Sequence, residues 1–290
     1  MTEHDTTAAP ARVGVLGGGR MGAGIAHAFL LAGSDVTIVE RDSEAAAAAH
    51  ARVAESLDRT AERGALPRPR GELDLSFVTA VDADAFGAAT MVIEAVPEDR
   101  GLKLEALARA EQAVPADAVL ASNTSSISID DLAETLERPE QFLGLHFFNP
   151  VPSSKLVEIV RGRQTDAEVI TRARSWIAAL GKTAIVVQDA PGFASSRLGV
   201  ALGLEAIRML EEGVADAADI DAAMELGYRH PMGPLRTTDV VGLDVRLGIA
   251  EELQTAYGDR FAPPELLRRM VAEGRLGRKT GQGFYEWSTR

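Results

Sequence analysis

The sequence predicts an α/β fold: an N-terminal Rossmann-type, doubly wound, mainly parallel sheet, followed by a second, all-helical C-terminal domain. Three observations predict it. Apolar runs of strand length alternate with helix-spaced segments through the first 188 residues, the rhythm of βαβ units. A GxGxxG pattern, Gly17-x-Gly19-x-x-Gly22, stands between the first such run and the first helical segment. Beyond Gly192 the apolar positions recur at helical spacing.

Taken in order, RVGVLG reads as a buried strand and GRMGAGIAHAFLLAG as a small-residue helix ending at Gly33. DVTIVE is a second strand. An alanine-rich helix follows from about Ser43 to Gly64, then a Pro/Arg loop, ALPRPRG. LSFVTAV, TMVIEAV, AVLASN and FLGLHF read as further strands, and KLVEIV is a strand-like apolar run. The pattern changes near QDAPGF. The helical segments beyond it are LGVALGLEAIRMLEEG, DIDAAMELG, VGLDVRLGIAEELQTAYG and PELLRRMVAEG. The predicted organisation is a disordered leader over 1–11, a nucleotide-binding domain over 12–188 and a helical domain over 189–290.

Bulk properties narrow the function classes. At 290 residues the chain has room for two domains, and its composition, 46% hydrophobic and 25% charged, is that of a globular protein. Acidic residues outnumber basic ones for a net charge of −13, which argues against nucleic acid as a partner. An anionic ligand must therefore be held by local groups. No apolar run approaches the roughly 20 residues of a membrane span. The leader carries no cationic-then-apolar signal pattern. There are no cysteines, so disulfides, thiolate catalysis and cysteine metal sites are excluded together, and no metal site is expected. The expectation is a cytoplasmic protein.

The glycine motif has the context that gives it meaning. It follows a strand, opens a helix, and the next strand ends in Glu40. Gly17, Gly19 and Gly22 suit a tight turn, close approach of backbone to a pyrophosphate, and close helix–sheet packing. Unpaired N–H groups and the helix dipole favour an anion at that end. Glu40 can accept hydrogen bonds from ribose hydroxyls and would repel a 2′-phosphate, which favours NAD over NADP. Arg41 beside it could accommodate that phosphate or be a solvated charge, and the motif alone also admits FAD.

His146 and Glu158 carry the chemistry. His146 closes the apolar run FLGLHF and Glu158 lies inside KLVEIV, twelve residues on. A carboxylate in an apolar strand needs a partner. An imidazole is suited to it, because the carboxylate fixes its tautomer and stabilises the imidazolium formed on taking a proton. A satisfied core histidine beside an unrelated edge-strand glutamate is the alternative.

These motifs, with VIEAVPED, ASNTSSISI, GLHFFNPV, DAPGF, HPMGPLRTTDVVGLD and GRKTGQGFYEW in order along nearly the whole chain, resemble the L-3-hydroxyacyl-CoA dehydrogenase family, including 3-hydroxybutyryl-CoA dehydrogenases. The resemblance implies NAD-dependent, reversible oxidation of an (S)-3-hydroxyacyl-CoA to the 3-ketoacyl-CoA. It implies His146 as catalytic base, Glu158 as its partner and Ser125 as the group binding the substrate oxygen. For Ser125 a helix N-cap before IDDLAETL is the plain alternative. Glu98, Lys103 and Asn149 match positions near the nicotinamide and its ribose, and Met21 and Asn123 complete the implied cofactor set. Ser56 and Arg63 match positions that touch CoA, although Arg63 also suits a solvated helix face. The chain departs from the family after PGF, where Ser196 stands in place of the usual asparagine that helps hold the substrate carbonyl. Serine can still donate there, directly or through water. The resemblance also implies a homodimer through the helical domain. Other readings keep the chemistry on an acyl-carrier-protein-bound or dicarboxylic acyl substrate, or on a free hydroxy or sugar acid; a non-catalytic nucleotide-binding protein is the remaining class.

Overall fold

A computed structural model describes residues 8–79 and 85–288. Most of the expected leader, the end of LSFVTAV and the last two residues lie outside the described residues. The chain divides into two compact units, one through Ala190 and one from Pro191.

The first unit is built on an eight-stranded sheet in the order β3-β2-β1-β4-β5-β6-β7-β8. Its strands are β1 (Arg12–Leu16), β2 (Asp35–Val39), β3 (Leu75–Val78), β4 (Met91–Glu94), β5 (Val119–Ser122), β6 (Phe142–Phe147), β7 (Leu156–Arg161) and β8 (Thr183–Gln188). All neighbours pair in parallel except β6 and β7. The central strands are buried along their whole length, as parallel strands covered on both faces must be. β8, TAIVVQ, is a β-branched run and adds an edge strand beyond those predicted above.

The helices of this unit are α1 (Arg20–Leu31), α2 (Ser43–Glu62), α3 (Arg100–Gln112), α4 (Ile129–Ala133) and α5 (Ala167–Ala179). α1 and α5 share one apolar core with the strands through Ile25, Phe29, Val169 and Trp176. α2 joins it through Ala49, Val53 and Leu57, one face of an otherwise polar helix. Asp42 caps α2 by accepting from the Ala45 N–H (2.7 Å), and Asp99 caps α3 from the Leu102 N–H (2.9 Å).

The second unit is helical: α6 (Ser195–Glu211), α7 (Ala217–Tyr228), α8 (Pro234–Val241), α9 (Leu243–Tyr257) and α10 (Glu265–Ala272). Its core gathers Leu204, Ile207, Leu235, Leu243, Leu253 and Leu267. The run VGLDVRLGIAEELQTAYG forms one helix, α9, from its third residue, and its first two residues, Val241 and Gly242, close the preceding α8. Gly242 has φ 108°, a conformation only glycine adopts without strain, and it separates α8 from α9. Two buried acids organise the loops. Asp221 accepts from the Leu235 and Arg236 N–H groups (2.8 and 2.9 Å) and the Tyr285 hydroxyl (2.8 Å). Asp239 accepts from the Phe284 and Tyr285 N–H groups (both 2.9 Å) and the Trp287 indole (2.8 Å), and so ties down GFYEW.

Candidate active site

In open α/β sheets ligands bind at the carboxyl ends of the parallel strands, where the strand order reverses. Here that point lies between β1 and β4, and most of the predicted first-unit residues cluster along that edge.

The turn after β1 is shaped for close approach. Gly17 has φ 87°, and a methyl added to Gly22 would fall 1.8 Å from the Gly17 carbonyl oxygen. Gly19 caps α1 with no side chain in the way, and a methyl on it would meet nothing within 4 Å. The end of α1 therefore presents its first amides to open space, the requirement for a pyrophosphate. Glu40, one residue past β2, reaches back to this turn. Its Oε1 accepts from the Gly18 N–H (2.6 Å) and its Oε2 from the Arg41 N–H (3.3 Å). Arg41 itself turns its guanidinium to Asp42 (3.0 Å) and is largely exposed, a solvated ion pair. Met21 is half-buried on the first turn of α1, against the apolar core. This cradle suits a dinucleotide with an unphosphorylated ribose.

Along the same edge, β4 and β5 build a polar set around two glutamates. Glu94, the last residue of β4, is fully buried, as is the Lys103 ammonium from α3. Glu94 Oε1 accepts from Lys103 Nζ and the Val96 N–H (both 2.7 Å), and Oε2 accepts from the Ser122 hydroxyl. Lys103 also donates to the Val96 carbonyl and faces Glu98 Oε2, both at 3.3 Å, so three acceptors surround its three N–H bonds. Lys103 thus supports Glu98 from beneath rather than standing at the surface. Glu98 Oε1 gathers the loop after β5: it accepts from the Thr124 hydroxyl (2.6 Å), the Ser125 N–H (2.8 Å) and the Ser125 hydroxyl (3.2 Å). Partial burial works against ionisation of Glu98, but the Lys103 charge and these donors outweigh it and hold its carboxyl below the usual range.

Glu94 and Ser122 were not singled out from sequence. The signal was present: a glutamate inside the apolar run VIEAV obeys the same rule that singled out Glu158. The N-cap question is also answered. Ser128 caps α4, accepting from the Asp131 N–H (3.1 Å) and donating to Asp189 (2.6 Å), while Ser125 sits three residues earlier on Glu98. Asn123 Oδ1 accepts the Phe147 N–H (3.0 Å), which ties this loop to the end of β6.

His146 and Glu158 are direct cross-strand partners in the antiparallel β6–β7 pair. Opposite residues in such a pair share one face. His146 Nδ1 lies 2.7 Å from Glu158 Oε2, with His146 at 8% exposure and Glu158 fully buried. The antiparallel turn of β7 is what brings the carboxylate back beside the ring. The His146 ring also packs on Phe148, with centroids 4.4 Å apart. Asn149 is exposed in the connection that follows, which Lys182 fastens by donating to the Val151 (2.6 Å) and Ser154 carbonyls.

The remaining predicted residues are more scattered. Ser56 is half-buried on α2 and Arg63 is exposed at its C-terminal cap, seven residues apart and so on one face. Ser196 occupies the first turn of α6, in the second unit. Among the described residues no cluster of histidine and carboxylate groups suits a metal ion, and no helix is long and apolar enough to cross a membrane.

Comparison with known proteins places this geometry. Residues 12–190 match a family model described as 3-hydroxyacyl-CoA dehydrogenase, NAD binding domain, and residues 192–287 match one described as 3-hydroxyacyl-CoA dehydrogenase, C-terminal domain. A 3-hydroxybutyryl-CoA dehydrogenase of Mycobacterium tuberculosis is 42% identical over 280 residues, covering 95% of this chain and 98% of that protein. A probable 3-hydroxybutyryl-CoA dehydrogenase of Deinococcus radiodurans is 41% identical over 279 residues, 95% of this chain and 100% of that one. Among solved structures, (S)-3-hydroxybutyryl-CoA dehydrogenase PaaH1 from Ralstonia eutropha superposes with a TM-score of 0.90 at 39% identity, over 97% of this chain and 100% of that one.

Proposed function

The chain belongs to the 3-hydroxyacyl-CoA dehydrogenase family, an NAD-dependent oxidoreductase family, and from that premise we propose that His146 and Glu158 form the acid–base dyad of (S)-3-hydroxyacyl-CoA oxidation. The observation that carries this reading is the buried 2.7 Å contact between His146 Nδ1 and Glu158 Oε2.

The glycine turn and the uncapped N-terminus of α1 fit NAD, with Glu40 on the adenosine ribose and Glu98 and Asn149 toward the nicotinamide end. Bound NAD supplies the hydride acceptor. Glu158 holds Nδ1–H, which assigns proton exchange with the C3 hydroxyl to the other ring nitrogen, Nε2. The carboxylate then stabilises the imidazolium in a site from which water is largely excluded. Ser125, already oriented by Glu98, turns its hydroxyl to the substrate oxygen, and Ser196 supports it from α6. Lys103 and Glu94 fix Glu98 in place. Ser56 and Arg63 take the CoA portion.

The reading includes a cytoplasmic homodimer joined through the second unit. Six of the seven large exposed apolar residues among those described belong to that unit: Leu198, Val214, Leu226, Tyr228, Val241 and Val245. A monomer in light scattering at micromolar concentration would remove this part.

His146→Gln tests the dyad. Turnover of acetoacetyl-CoA should fall by about 10²–10⁴-fold while NADH binding stays close to that of the parent. Full activity in this variant would overturn the assignment.

A further inference from the structure

Residues 148–155 join β6 to β7 without forming helix or strand, and they stand directly over the dyad. Phe147 pairs with Val157 at the end of the ladder, and His146 with Glu158 is the next pair in. Slack in the connection therefore reaches the His146–Glu158 contact across a single residue pair. Hydrogen-bonded ends that can open do so locally, well before the fold as a whole.

Two contacts take up that slack. Val151 is the only buried residue of the connection, with 2% of its surface exposed. It sits in a notch on α1 at Gly24. A methyl on Gly24 would stand 2.9 Å from Val151 Cβ and 3.0 Å from its Cγ2, so the notch exists because that residue is glycine. α1 is also the helix whose first amides open onto the pyrophosphate site described above. The second contact is Lys182, in the turn between α5 and β8. Its ammonium donates to the Val151 carbonyl (2.6 Å) and to the Ser154 carbonyl, one group spanning the middle of the connection. The backbone on either side is fixed as well. The Lys182 N–H donates to the Ile177 carbonyl (3.2 Å), and the Thr183 N–H to the Lys155 carbonyl (2.6 Å). Burial pulls the Lys182 ammonium below the ordinary lysine value. Charged donors bind carbonyls about twice as strongly as neutral ones.

We propose that Lys182 is a positioning residue for proton transfer at His146: by holding Val151 in the Gly24 notch, it ties the end of the catalytic strand to the helix that carries the cofactor. The role in turnover rests on the dehydrogenase reading above, whereas the clamp belongs to the fold alone. Lys182 touches neither reacting group and acts through the connection. A lysine that only stabilised the sheet edge would lower the melting temperature and leave kcat unchanged.

Lys182→Met, made in the full-length protein, is the direct test, since it keeps the stem and removes the donors. Its kcat for acetoacetyl-CoA reduction should fall by about 10- to 100-fold, while the Kd for NADH from fluorescence titration stays within about twofold of the parent. Lys182→Arg keeps the charge and the donors. A cavity of about 230 Å³ that Lys182 shares with Leu31, Pro152 and Gly181 has room for the larger head, so this variant should recover most of the loss. A readout independent of turnover is the Nδ1–H proton of His146 in NMR spectra, assigned by its disappearance in His146→Gln. Held by Glu158, it should be sharp in the parent and broadened by exchange with water in Lys182→Met. Parental kcat in Lys182→Met overturns the proposal, as does a lowered melting temperature as its only effect. So does a loss of kcat with the His146 signal unchanged, one matched by an equal loss of NADH affinity, or one that Lys182→Arg shares in full. If Lys182→Met does not fold, Val151→Ala loosens the same connection from the α1 side. It should lower kcat and broaden the signal to a smaller degree, and parental behaviour in both overturns the proposal. Failure of the dehydrogenase reading has a different signature: the parent does not oxidise NADH with acetoacetyl-CoA, while its His146 signal still responds to Lys182→Met.

Discussion

The two units treat buried charge in opposite ways. In the first, the buried glutamates among the described residues are met by named partners: Glu94 by Lys103, Ser122 and the Val96 N–H, and Glu158 by His146. Glu111 completes the same pattern, accepting from the Glu137 and Arg138 N–H groups at 2.9 and 2.7 Å. In the second, Asp221 and Asp239 are equally well met, but Arg246 is not. A completed set holds a fold or a catalytic group in place. A buried guanidinium nitrogen without an acceptor, as at Arg246 Nε, costs stability instead. The contrast can be broken at four points.

The largest effect is expected at the dyad. Glu158→Gln keeps an acceptor for Nδ1–H but removes the negative charge that stabilises the imidazolium. Turnover should drop by about 10²–10⁴-fold, while KM for acetoacetyl-CoA changes far less. A loss confined to KM would mean that the carboxylate serves binding rather than proton transfer.

Next is the Glu94–Lys103 pair. Lys103→Met leaves Glu94 buried beneath the site without its countercharge, a loss of about 3–5 kcal/mol in urea unfolding. Adding Glu94→Gln should return much of that stability, since the uncompensated charge is then gone. If the single variant unfolds like the parent, water has reached Glu94 and the set is not sealed. Arg246→Met should act in the opposite direction. With no partner to orphan, removing the charge should raise stability by about 1–3 kcal/mol. A destabilised Arg246→Met would show that the guanidinium already has an acceptor.

How far each of these features was legible in sequence follows the same division. The fold class, the glycine turn and the His146–Glu158 pair are written in local pattern: strand-length apolar runs, a motif with its strand and helix, a polar residue where only apolar ones belong. Glu94 was legible by the same rule, although VIEAV was read only as a strand. Ser125 and Ser128 could not be told apart, because either serine can cap the helix after SNTSS, and the choice depends on Glu98 drawing the first of them to the neighbouring strand end. The start of α9 and its separation from α8 turn on the positive φ of Gly242, while α8 itself lies in HPMGPLRTTDVV, where Gly and Pro obscure the helical spacing. Arg246 was invisible. In sequence it is one arginine in VGLDVRLGIAEEL, and only the packing of α9 on the glycines of α6 buries it.

The smallest effect is expected at His27, one of the first unit's incomplete groups. Its Nε2 lies 3.0 Å from the Thr60 hydroxyl, which itself donates to the Ser56 carbonyl, so Nε2 carries the hydrogen. Nδ1 is buried without a partner. An unpaired neutral nitrogen is tolerable where an unpaired cation is not, provided the ring stays neutral. Desolvation by burial does this, pulling His27 below its ordinary value of 6.5; the Ser56 carbonyl works against the shift and the nearby Lys182 charge adds to it. The unfolded chain therefore takes up a proton near 6.5 that the folded chain refuses until a lower pH. Between those two values stability falls as the pH falls, by at most about 1.4 kcal/mol per pH unit. Melting curves of the parent and of His27→Gln, taken from about pH 7.5 down to about pH 5.5, should diverge only below the unfolded-state value, with the parent losing stability faster. Parallel curves over the whole range would mean that His27 takes up its proton as readily in the folded chain as in the unfolded one, so that burial does not keep the ring neutral.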